Sequence, residues 1–232
     1  MISYFEARRV PHPKDTSYML NNYLKQELPE NKDAKILDIG CGFGQFLSKI
    51  TKLGYANAYG IDVDGSAVDF CKKNNLKVSL IDDLKKFIAE SKEKYDFIIM
   101  SHVIEHLKKD EIIPILTAIN INLLSENGKI IITTPNAQAV TGAYWHYEDF
   151  THNLMFTSGS LYYVLYMAGF KNISFPDKYA VSDVKLPLKI IRMTAFKLYE
   201  FFDAIKNKLL YNHYHTQSEK IFTWEIRVKA EK

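Results

Sequence analysis

The most constraining feature of the chain is a glycine-rich stretch, LDIGCGFGQF, which spans Leu37 to Phe46. It places Gly40, Gly42 and Gly44 directly after an apolar run and directly before an amphipathic segment of helical length. Glycine permits positive φ angles in a tight turn, and its missing Cβ lets a ligand approach the backbone closely. The N-terminus of the following helix offers free N–H groups to an anionic group. In doubly wound sheets this junction borders the ligand crevice, so the stretch predicts a nucleotide-like ligand.

From Lys35 onward, short β-rich runs alternate with helix-length amphipathic segments. This rhythm is typical of right-handed βαβ crossovers and predicts a parallel sheet. The predicted strands are KILDIG (35–40), NAYGID (57–62), KVSLID (77–82), YDFIIMS (95–101) and GKIIITTP (128–135). The predicted helices between them run near 44–53, 66–74, 83–91 and 110–124.

The two ends of the chain add further predicted elements. Apolar residues at helical spacing predict a leading helix that follows Asp15 and ends at Pro29. Further along, SLYYVLYMAGF predicts a helix stopped by Gly169, and NISFPD predicts a short strand. Residues 187–211 predict a long apolar and basic helix, and KIFTWEIRVKA (220–230) predicts the last strand. We find no internal repeat and no low-complexity linker, so we expect one domain with an inserted helical element.

Composition and charge restrict the partners and the compartment. The 232 residues include 30 Lys plus Arg and 27 Asp plus Glu, a formal charge of +3. Dense basic blocks are missing, so nucleic acid is not an expected partner. Cys41 and Cys71 are too few for a disulfide framework and lack zinc-finger spacing, which favours a reducing compartment. The N-terminal sequence has no leader pattern and no run has membrane length, so we expect a cytoplasmic protein.

The spacing of the glycines bears on which nucleotide is bound. A dinucleotide fingerprint follows GxGxxG, whereas here the third glycine comes one position early and Gln45 stands in its place. The spacing therefore disfavours NAD. Asp62, at the end of the second predicted strand, does not discriminate, because an acidic residue at this position serves the ribose of NAD and of adenosine ligands alike.

Four segments form a set that is more specific than the glycines alone. They are LDIGCGFG with Asp38 as its acidic member, IDVD, IDDLKKF and YDFIIMSHVIEHL. Together they resemble the class I S-adenosylmethionine-dependent methyltransferases over most of residues 34–136. The resemblance implies an α/β, Rossmann-like, doubly wound and mostly parallel sheet of about seven strands whose last strand is antiparallel. It also implies a single methyltransferase domain over 1–232, with an N-terminal helix or lid (1–33), a cofactor-binding core (34–136) and a substrate side (137–232).

The resemblance also implies cofactor roles for individual residues. Gly40 and Gly42 would line the methionine moiety, and Asp62 would accept from both ribose hydroxyls. Asp83, or less favourably Asp82, would accept from the adenine amino group. Two roles are open for Asp38: direct cofactor contact, or hydrogen bonds that hold the glycine turn. The predicted cofactor-binding set is Asp38, Gly40, Gly42, Gly44, Asp62, Asp83, Ser101 and His102.

The predicted substrate side contains a polar and aromatic segment, YWHYEDFTHNLMFTSGSL (144–161). Its THNLMFT part resembles a THxxxFT-like segment of methyltransferases in glycan and surface-polysaccharide pathways, with Asn153 in place of a basic residue often found there. His152 is the candidate base, because imidazole titrates near neutral pH. The alternative is that His152 orders the loop through hydrogen bonds to the backbone. The candidate catalytic set is His152, Asp149 and His146.

Two groups of side chains have the chemistry of metal ligands. The HxEDxxH segment (146–152) combines imidazole and carboxylate, but its spacing is not a recognised cage. Glu105 and His106 could form a metal or acid/base pair, or could cap and pack the helix that follows. We therefore predict no metal ligand set, and a divalent metal is disfavoured.

The predicted function is an enzyme that uses S-adenosylmethionine to methylate a small or carbohydrate-type acceptor, such as a sugar or sugar nucleotide. We expect O-methylation in polysaccharide biosynthesis, with S-adenosylhomocysteine as product. The alternatives are a quinone-type or small-acid methyltransferase, and a cofactor-binding partner subunit without catalysis. For helix 187–211, core or lid packing is favoured over a dimer contact or an interfacial membrane helix. A monomer or homodimer is expected.

Overall fold

A seven-stranded sheet forms the centre of the molecule in the computed structural model, which describes residues 4–10 and 19–232. The strand order is β3-β2-β1-β4-β5-β7-β6. The strands are β1 (Ile36–Ile39), β2 (Ala58–Asp62), β3 (Val78–Leu80), β4 (Tyr95–Ser101), β5 (Leu124–Pro135), β6 (Lys171–Ser174) and β7 (Glu225–Glu231). The first five strands pair in parallel, and β7 is antiparallel to both of its neighbours. The predicted fold class, including the antiparallel last strand, is confirmed.

The helices follow the predicted alternation. They are α1 (Tyr4–Ala7), α2 (Asn22–Glu27), α3 (Gln45–Lys52), α4 (Gly65–Lys73), α5 (Leu84–Glu90), α6 (Ile112–Ala118), α7 (Tyr144–Glu148), α8 (Ser158–Met167) and α9 (Leu186–Leu209). A 3₁₀ turn, Ile104–His106, follows β4, and a π-helical turn, Ile119–Leu123, joins α6 to β5.

The central strands bury side chains on both faces of the sheet, because successive residues of a strand point in opposite directions. In β1, Leu37 belongs to an apolar cluster with residues of α5, α6 and α8, whereas Ile36 belongs to a second cluster with residues of α2, α3 and α4. All four residues of β1 are buried. Burial on both faces explains why these strands appear in the sequence as continuous apolar runs rather than alternating ones.

Some element ends differ from those predicted. The leading helix begins at Asn22 rather than just after Asp15, and part of the predicted range lies outside the described residues. The last strand begins at Glu225 rather than at 220. The Asn136 side-chain amide donates hydrogen bonds to the carbonyls of Ile221 and Thr223, both at 2.8 Å. Because these carbonyls are bonded to a side chain, the two residues form a loop and do not extend the pairing of β7 with β5.

Helix α9 has an unusual distribution of side chains. Its buried residues are the polar Asp203 and Asn207, whose side chains are hydrogen-bonded at 2.8 Å. Many of its apolar side chains are exposed, among them Leu188, Phe201 and Phe202. Core packing, one of the two arrangements in the favoured core-or-lid prediction, is therefore wrong for most of the apolar face of this helix, whereas lid packing stays a prediction. None of the helices among the described residues is long and apolar enough to cross a membrane.

Candidate active site

A cavity of about 650 Å³ opens at the carboxyl ends of β1, β2 and β4. This is the position at which open α/β sheets hold their ligands, and the volume lies in the usual range for small-molecule sites. Seven of the eight predicted cofactor-binding residues line it: Asp38, Gly40, Gly42, Asp62, Asp83, Ser101 and His102. The structure therefore brings together residues that lie far apart in the sequence.

Gly44 is the predicted cofactor residue that does not line the cavity. A Cβ built on it would lie 2.5 Å from Leu76 Cδ1 and 2.8 Å from Cys71 Sγ, and its φ is +70°. Both neighbours belong to the region of α4 and the turn that follows it. Gly44 therefore allows a left-handed turn before α3 and close packing between α3 and α4.

The other two glycines form a backbone cradle at the cavity wall. Gly40 has φ +72°, and a Cβ there would meet Val103 Cγ2 at 2.3 Å. Gly42 has φ +50°, and a Cβ there would meet Phe5 Cζ at 3.3 Å and no other described atom within 4 Å. A side chain at Gly42 would therefore project into space that a ligand can use, which fits close approach of a nucleotide-type cofactor to this turn.

Asp62 is held at the end of β2 by backbone groups. Its Oδ2 accepts from the Gly42 N–H at 2.7 Å, and its Oδ1 accepts from the Asp64 N–H at 2.8 Å. These bonds orient the carboxylate beside the glycine cradle and leave lone pairs for further donors. The donor set of a ribose, two adjacent hydroxyls, fits such a fixed carboxylate.

The other two carboxyls of the predicted set differ from Asp62. Burial, followed by the nearby charge of Asp62, raises the pKa of Asp38 to about 8. Asp38 is thus neutral in the ligand-free protein at pH 7, and a cationic ligand group beside it would favour ionisation. Asp83 accepts from the Lys86 N–H at 2.8 Å and so caps the N-terminus of α5 at the cavity rim.

Helix α1 lies over one side of the cavity. Its Tyr4 and Phe5 both line the cavity, and the Phe5 ring packs against Phe43 at 4.5 Å. The Tyr4 backbone N–H donates to Asp64 at 3.0 Å, and the Tyr4 hydroxyl donates to Asp149. Arg8, directly beyond α1, also forms an ion pair with Asp149. The N-terminal segment is therefore attached to both the cofactor side and the predicted substrate side.

Asp149, one of the candidate catalytic residues, is the acceptor that holds this attachment. Burial alone would raise its pKa, but hydrogen bonds from Thr151 and Tyr4 and the charge of Arg8 hold that pKa well below its usual range. The carboxylate thus stays ionised and its lone pairs are occupied. Burial and the contact with Asp149 raise the pKa of Tyr4 to about 12.

His102 lies between two carboxylates at the cavity wall. Its Nδ1 is 3.3 Å from Glu105 Oε1, its Nε2 is 3.4 Å from Glu225 Oε2, and its ring stacks on Trp224 at 5.5 Å. Burial disfavours its charged form, but Glu105 and Glu225 outweigh burial and raise its pKa to about 9. Its backbone has φ +54°, an uncommon conformation for a non-glycine residue.

His152 belongs to a buried cluster next to the cavity. Its side chain is 6% exposed, its Nδ1 is 2.7 Å from the Trp145 carbonyl, and its Nε2 is 3.9 Å from Glu105 Oε1. The His106 ring packs edge-on against the His152 ring at 4.7 Å. His106 and Thr151 line the cavity, so the cluster borders it through them. Burial lowers the pKa of His106, which favours its neutral form.

The segment 146–152 does not assemble a metal site. The Nδ1 atom of His146 is buried and has no hydrogen-bond partner among the described residues. Among all the residues that the structure describes, the group of His, Cys, Asp and Glu side chains close enough to share an ion consists of Glu105, His106 and His152. His152 Nε2 lies 3.6 Å from Asp149 Oδ2 and 3.9 Å from Glu105 Oε1, but Asp149 is already bonded to Arg8 and Tyr4, so the close group differs from the HxEDxxH segment.

Sequence reasoning missed the contribution of β7 to the site. Glu225 and Trp224 contact His102 from the start of this strand, about 120 positions along the chain. Their position depends on the antiparallel pairing of β7 with β5, which places Glu225 opposite Pro135. No local pattern around either residue marks it, since both sit in a run that looks like an ordinary strand.

A family model described as a methyltransferase domain matches residues 14–175, more than half of the chain. The chain belongs to this methyltransferase domain family. A solved SAM-dependent methyltransferase from Archaeoglobus fulgidus has the same fold, with a TM-score of 0.63, 21% identity and coverage of 90% of this chain and 91% of that one.

Curated relatives match less than half of the chain. The ubiquinone biosynthesis O-methyltransferase of Bartonella tribocorum is 31% identical over 106 residues, 44% of this chain and 41% of that protein. The ribosomal protein L11 methyltransferase of Haemophilus influenzae is 32% identical over 120 residues, 49% of this chain and 38% of that protein. The matches thus span about two fifths of the relatives' length, and the two relatives are named for different acceptors.

Proposed function

We propose that this methyltransferase transfers the methyl group of S-adenosylmethionine to a hydroxyl oxygen of a small, ring-bearing acceptor. S-adenosylmethionine is the methyl donor, and its sulfonium supplies an activated methyl group. The cradle at Gly40 and Gly42 and the fixed carboxylate of Asp62 fit this donor. The protein then has to align the acceptor with the methyl group and remove a proton from the hydroxyl.

The observation that carries the choice of oxygen is the cluster of Glu105, His106 and His152 beside the cavity. His106 lines the cavity where an acceptor would meet the donor, and the His152 ring packs against it. A hydroxyl must lose its proton during methylation, and imidazole is the side chain best suited to accept one near neutral pH. His152 is held by the Trp145 carbonyl, which orients its ring toward this cluster.

Aromatic side chains beside the cluster favour an acceptor with a ring. Trp145 packs against Trp224 at 5.0 Å, and Tyr144 packs edge-on against Trp145 at 5.1 Å. Such surfaces accept an aromatic ring by stacking. A quinone-type phenol fits this surface, and one relative is named for O-methylation in ubiquinone biosynthesis.

A carbohydrate hydroxyl is the second candidate, as would be used in polysaccharide biosynthesis. It is favoured by the THNLMFT segment, whose Thr157 caps α8 by accepting from the Ser160 N–H. The same indole surfaces can pack against the apolar face of a sugar. The relatives do not distinguish this acceptor from a phenol, since less than half of each is matched and they are named for different acceptors.

The test is formation of S-adenosylhomocysteine with a panel of catechols, hydroquinones, sugars, nucleotide sugars and primary amines. We expect turnover with hydroxyl acceptors, and His152→Gln should lower kcat about 100-fold or more while cofactor affinity stays within about twofold. His213→Gln, on an exposed segment, is the matched control. Turnover with amines alone would contradict the proposal. Binding of the donor without turnover of any acceptor would favour a catalytically silent partner subunit.

A further inference from the structure

The cluster of Glu105, His106 and His152 is held together by backbone hydrogen bonds between two distant segments. The Asn153 backbone N–H donates to the Glu105 carbonyl at 2.8 Å, and the Asn153 side-chain amide donates to the His106 carbonyl at 2.7 Å. The 3₁₀ turn after β4 is thus joined to the loop after α7. This attachment gives the three side chains a defined relative position before any ligand binds.

Hydrogen bonds determine which nitrogen each imidazole presents. The Trp145 carbonyl can only accept, so His152 Nδ1 carries the proton and donates to it. The Thr151 hydroxyl donates to Asp149 at 2.6 Å, so its oxygen accepts from His106 Nδ1 at 2.9 Å. In their neutral forms both rings therefore keep an unprotonated Nε2 lone pair. A ring nitrogen fixed by a hydrogen bond at its other side is the usual arrangement of histidine metal ligands.

Glu105 supplies a buried anionic oxygen whose nearby cation, His102, is poorly aligned with it. The residue is 0% exposed, and its Oε2 accepts from the Thr134 hydroxyl at 3.0 Å. Its Oε1 completes no hydrogen bond among the described residues, although His102 Nδ1 lies 3.3 Å away in poor alignment. A buried carboxylate oxygen that completes no hydrogen bond is costly, and a metal ion bound to that oxygen would supply the direct contact that His102 does not complete.

We propose that Glu105, His106 and His152 bind a divalent transition-metal ion such as Zn²⁺ or Mn²⁺. Two imidazoles and one carboxylate suit such an ion better than Mg²⁺, which prefers oxygen ligands. One ligand atom from each side chain lies within 4.8 Å of the others. Ligands about 2.1 Å from a common ion lie roughly 3 to 4 Å apart, so small side-chain rotations complete the site.

The role of the ion rests on the proposed function. Three protein ligands leave coordination positions open, and His106 places the site at the cavity wall. An acceptor with two adjacent oxygens would bind there, and the ion would lower the pKa of the hydroxyl that is methylated. With Nε2 of both histidines on the ion, the ion would take over from imidazole the activation of the hydroxyl. The hydroxyl proton would pass to solvent or buffer, and the oxygen would form the new bond to the methyl carbon as the bond from carbon to sulfur breaks.

Metal binding is tested by titrating the EDTA-treated full chain with Zn²⁺, Mn²⁺ and Mg²⁺ in a calorimeter. We expect one Zn²⁺ or Mn²⁺ per chain and weaker Mg²⁺ binding. Glu105→Gln, His106→Gln and His152→Gln should each weaken binding about 100-fold or more, whereas His213→Gln should not change it. Unchanged affinity for S-adenosylhomocysteine shows that a variant is folded, and the partly exposed His106 is the substitution least disruptive to the core.

Lack of stoichiometric binding, or binding that survives both histidine substitutions, would overturn the proposed metal site. Loss of binding in His213→Gln would likewise place the ion elsewhere. Visible absorption of Co²⁺-loaded protein adds a test of the ligands, since His106→Gln should alter the spectrum. Full methyl transfer in EDTA would reject the metal but retain the hydroxyl methyltransferase. Metal binding without methylation of any hydroxyl acceptor would reject the proposed function instead.

Discussion

Asp38 and Asp62 lie near the ends of the neighbouring strands β1 and β2, and their hydrogen bonds and burial differ. Asp62 receives two backbone N–H groups, whereas Asp38, at the end of β1, is buried without comparable compensation. Burial and then the charge of Asp62 raise the pKa of Asp38 to about 8. An ordinary aspartate in an unfolded chain has a pKa near 3.8. The ligand-free fold therefore holds a proton that the unfolded chain releases above about pH 4.

Asp38→Asn should remove a pH dependence from the stability of the ligand-free protein. Between about pH 4 and pH 8 the native state binds the extra proton, so this group's contribution is fully present below pH 4 and is lost as the pH rises to 8. As the pH rises through this window, the free energy of unfolding of the variant should therefore increase relative to that of the wild type by up to about 1.4 kcal/mol per pH unit. Urea unfolding at pH 5, 6 and 7.5 measures the difference. Parallel stability curves for the two proteins would contradict the prediction.

Helix α1 is too short to fold by itself and depends on its contacts. Four residues form a single turn, which is well below the length at which isolated helices are stable. The segment stays in place through the bonds of Tyr4 and Arg8 to Asp149 and through the packing of Phe5 on Phe43. Because Tyr4 and Phe5 line the cavity, we expect the contacts that hold α1 also to keep it over a cofactor bound there. Release of α1 would open this side of the cavity.

Tyr4→Phe should weaken cofactor binding by loosening this cover. The substitution keeps the ring but removes the hydroxyl that donates to Asp149. A hydrogen bond to a charged group contributes about 1.5 kcal/mol, so we expect a Kd for S-adenosylhomocysteine about tenfold higher, mainly through faster dissociation. Stopped-flow and calorimetric titration measure both quantities. Tyr147→Phe, on the exposed surface of α7, is the control, and equal affinities for the two variants would count against a lid role of α1.

At the scale of the whole molecule, the ligand cavity is a product of the sheet. It lies at the carboxyl ends of the neighbouring strands β1 and β4. After these two strands the chain continues to opposite faces of the sheet. The antiparallel β7 closes the other side of β5 and delivers Glu225 to His102. Both apolar clusters pack against these strands, so the strand ends that line the cavity are built on the core. Ligand binding is therefore coupled to the stability of the entire fold.

Saturation with S-adenosylhomocysteine should raise the thermal midpoint of the protein. At 100 times its Kd, a ligand that binds the native state alone stabilises that state by about 2.7 kcal/mol. For a chain of this size the expected increase is roughly 5 to 10 °C. Calorimetric scans with and without the ligand measure it. Asp62→Ala should show a much smaller increase at the same ligand concentration, and an unchanged increase would reject Asp62 as the ribose-binding carboxylate.

The sheet and most of the cavity lining could be predicted because their signals are local. Buried parallel strands appear as apolar runs, and the glycine turn and Asp62 lie at strand ends that the alternation of elements identifies. Helix α9 could not be placed in the same way. Its mixed apolar and basic sequence does not reveal that Asp203 and Asn207 face inward while Phe201 and Phe202 face solvent.

The order of residues along the chain was enough to predict the α/β architecture and a cavity at the glycine turn, because hydrophobic periodicity and backbone requirements act over short distances. The grouping of Glu105, His106 and His152 was different. It required the loop after α7 to pack against the turn after β4, and β7 to pair with β5 so that Glu225 faces His102. Contacts between segments so far apart depend on the packing of the complete fold, and no nearby residue pattern specifies them.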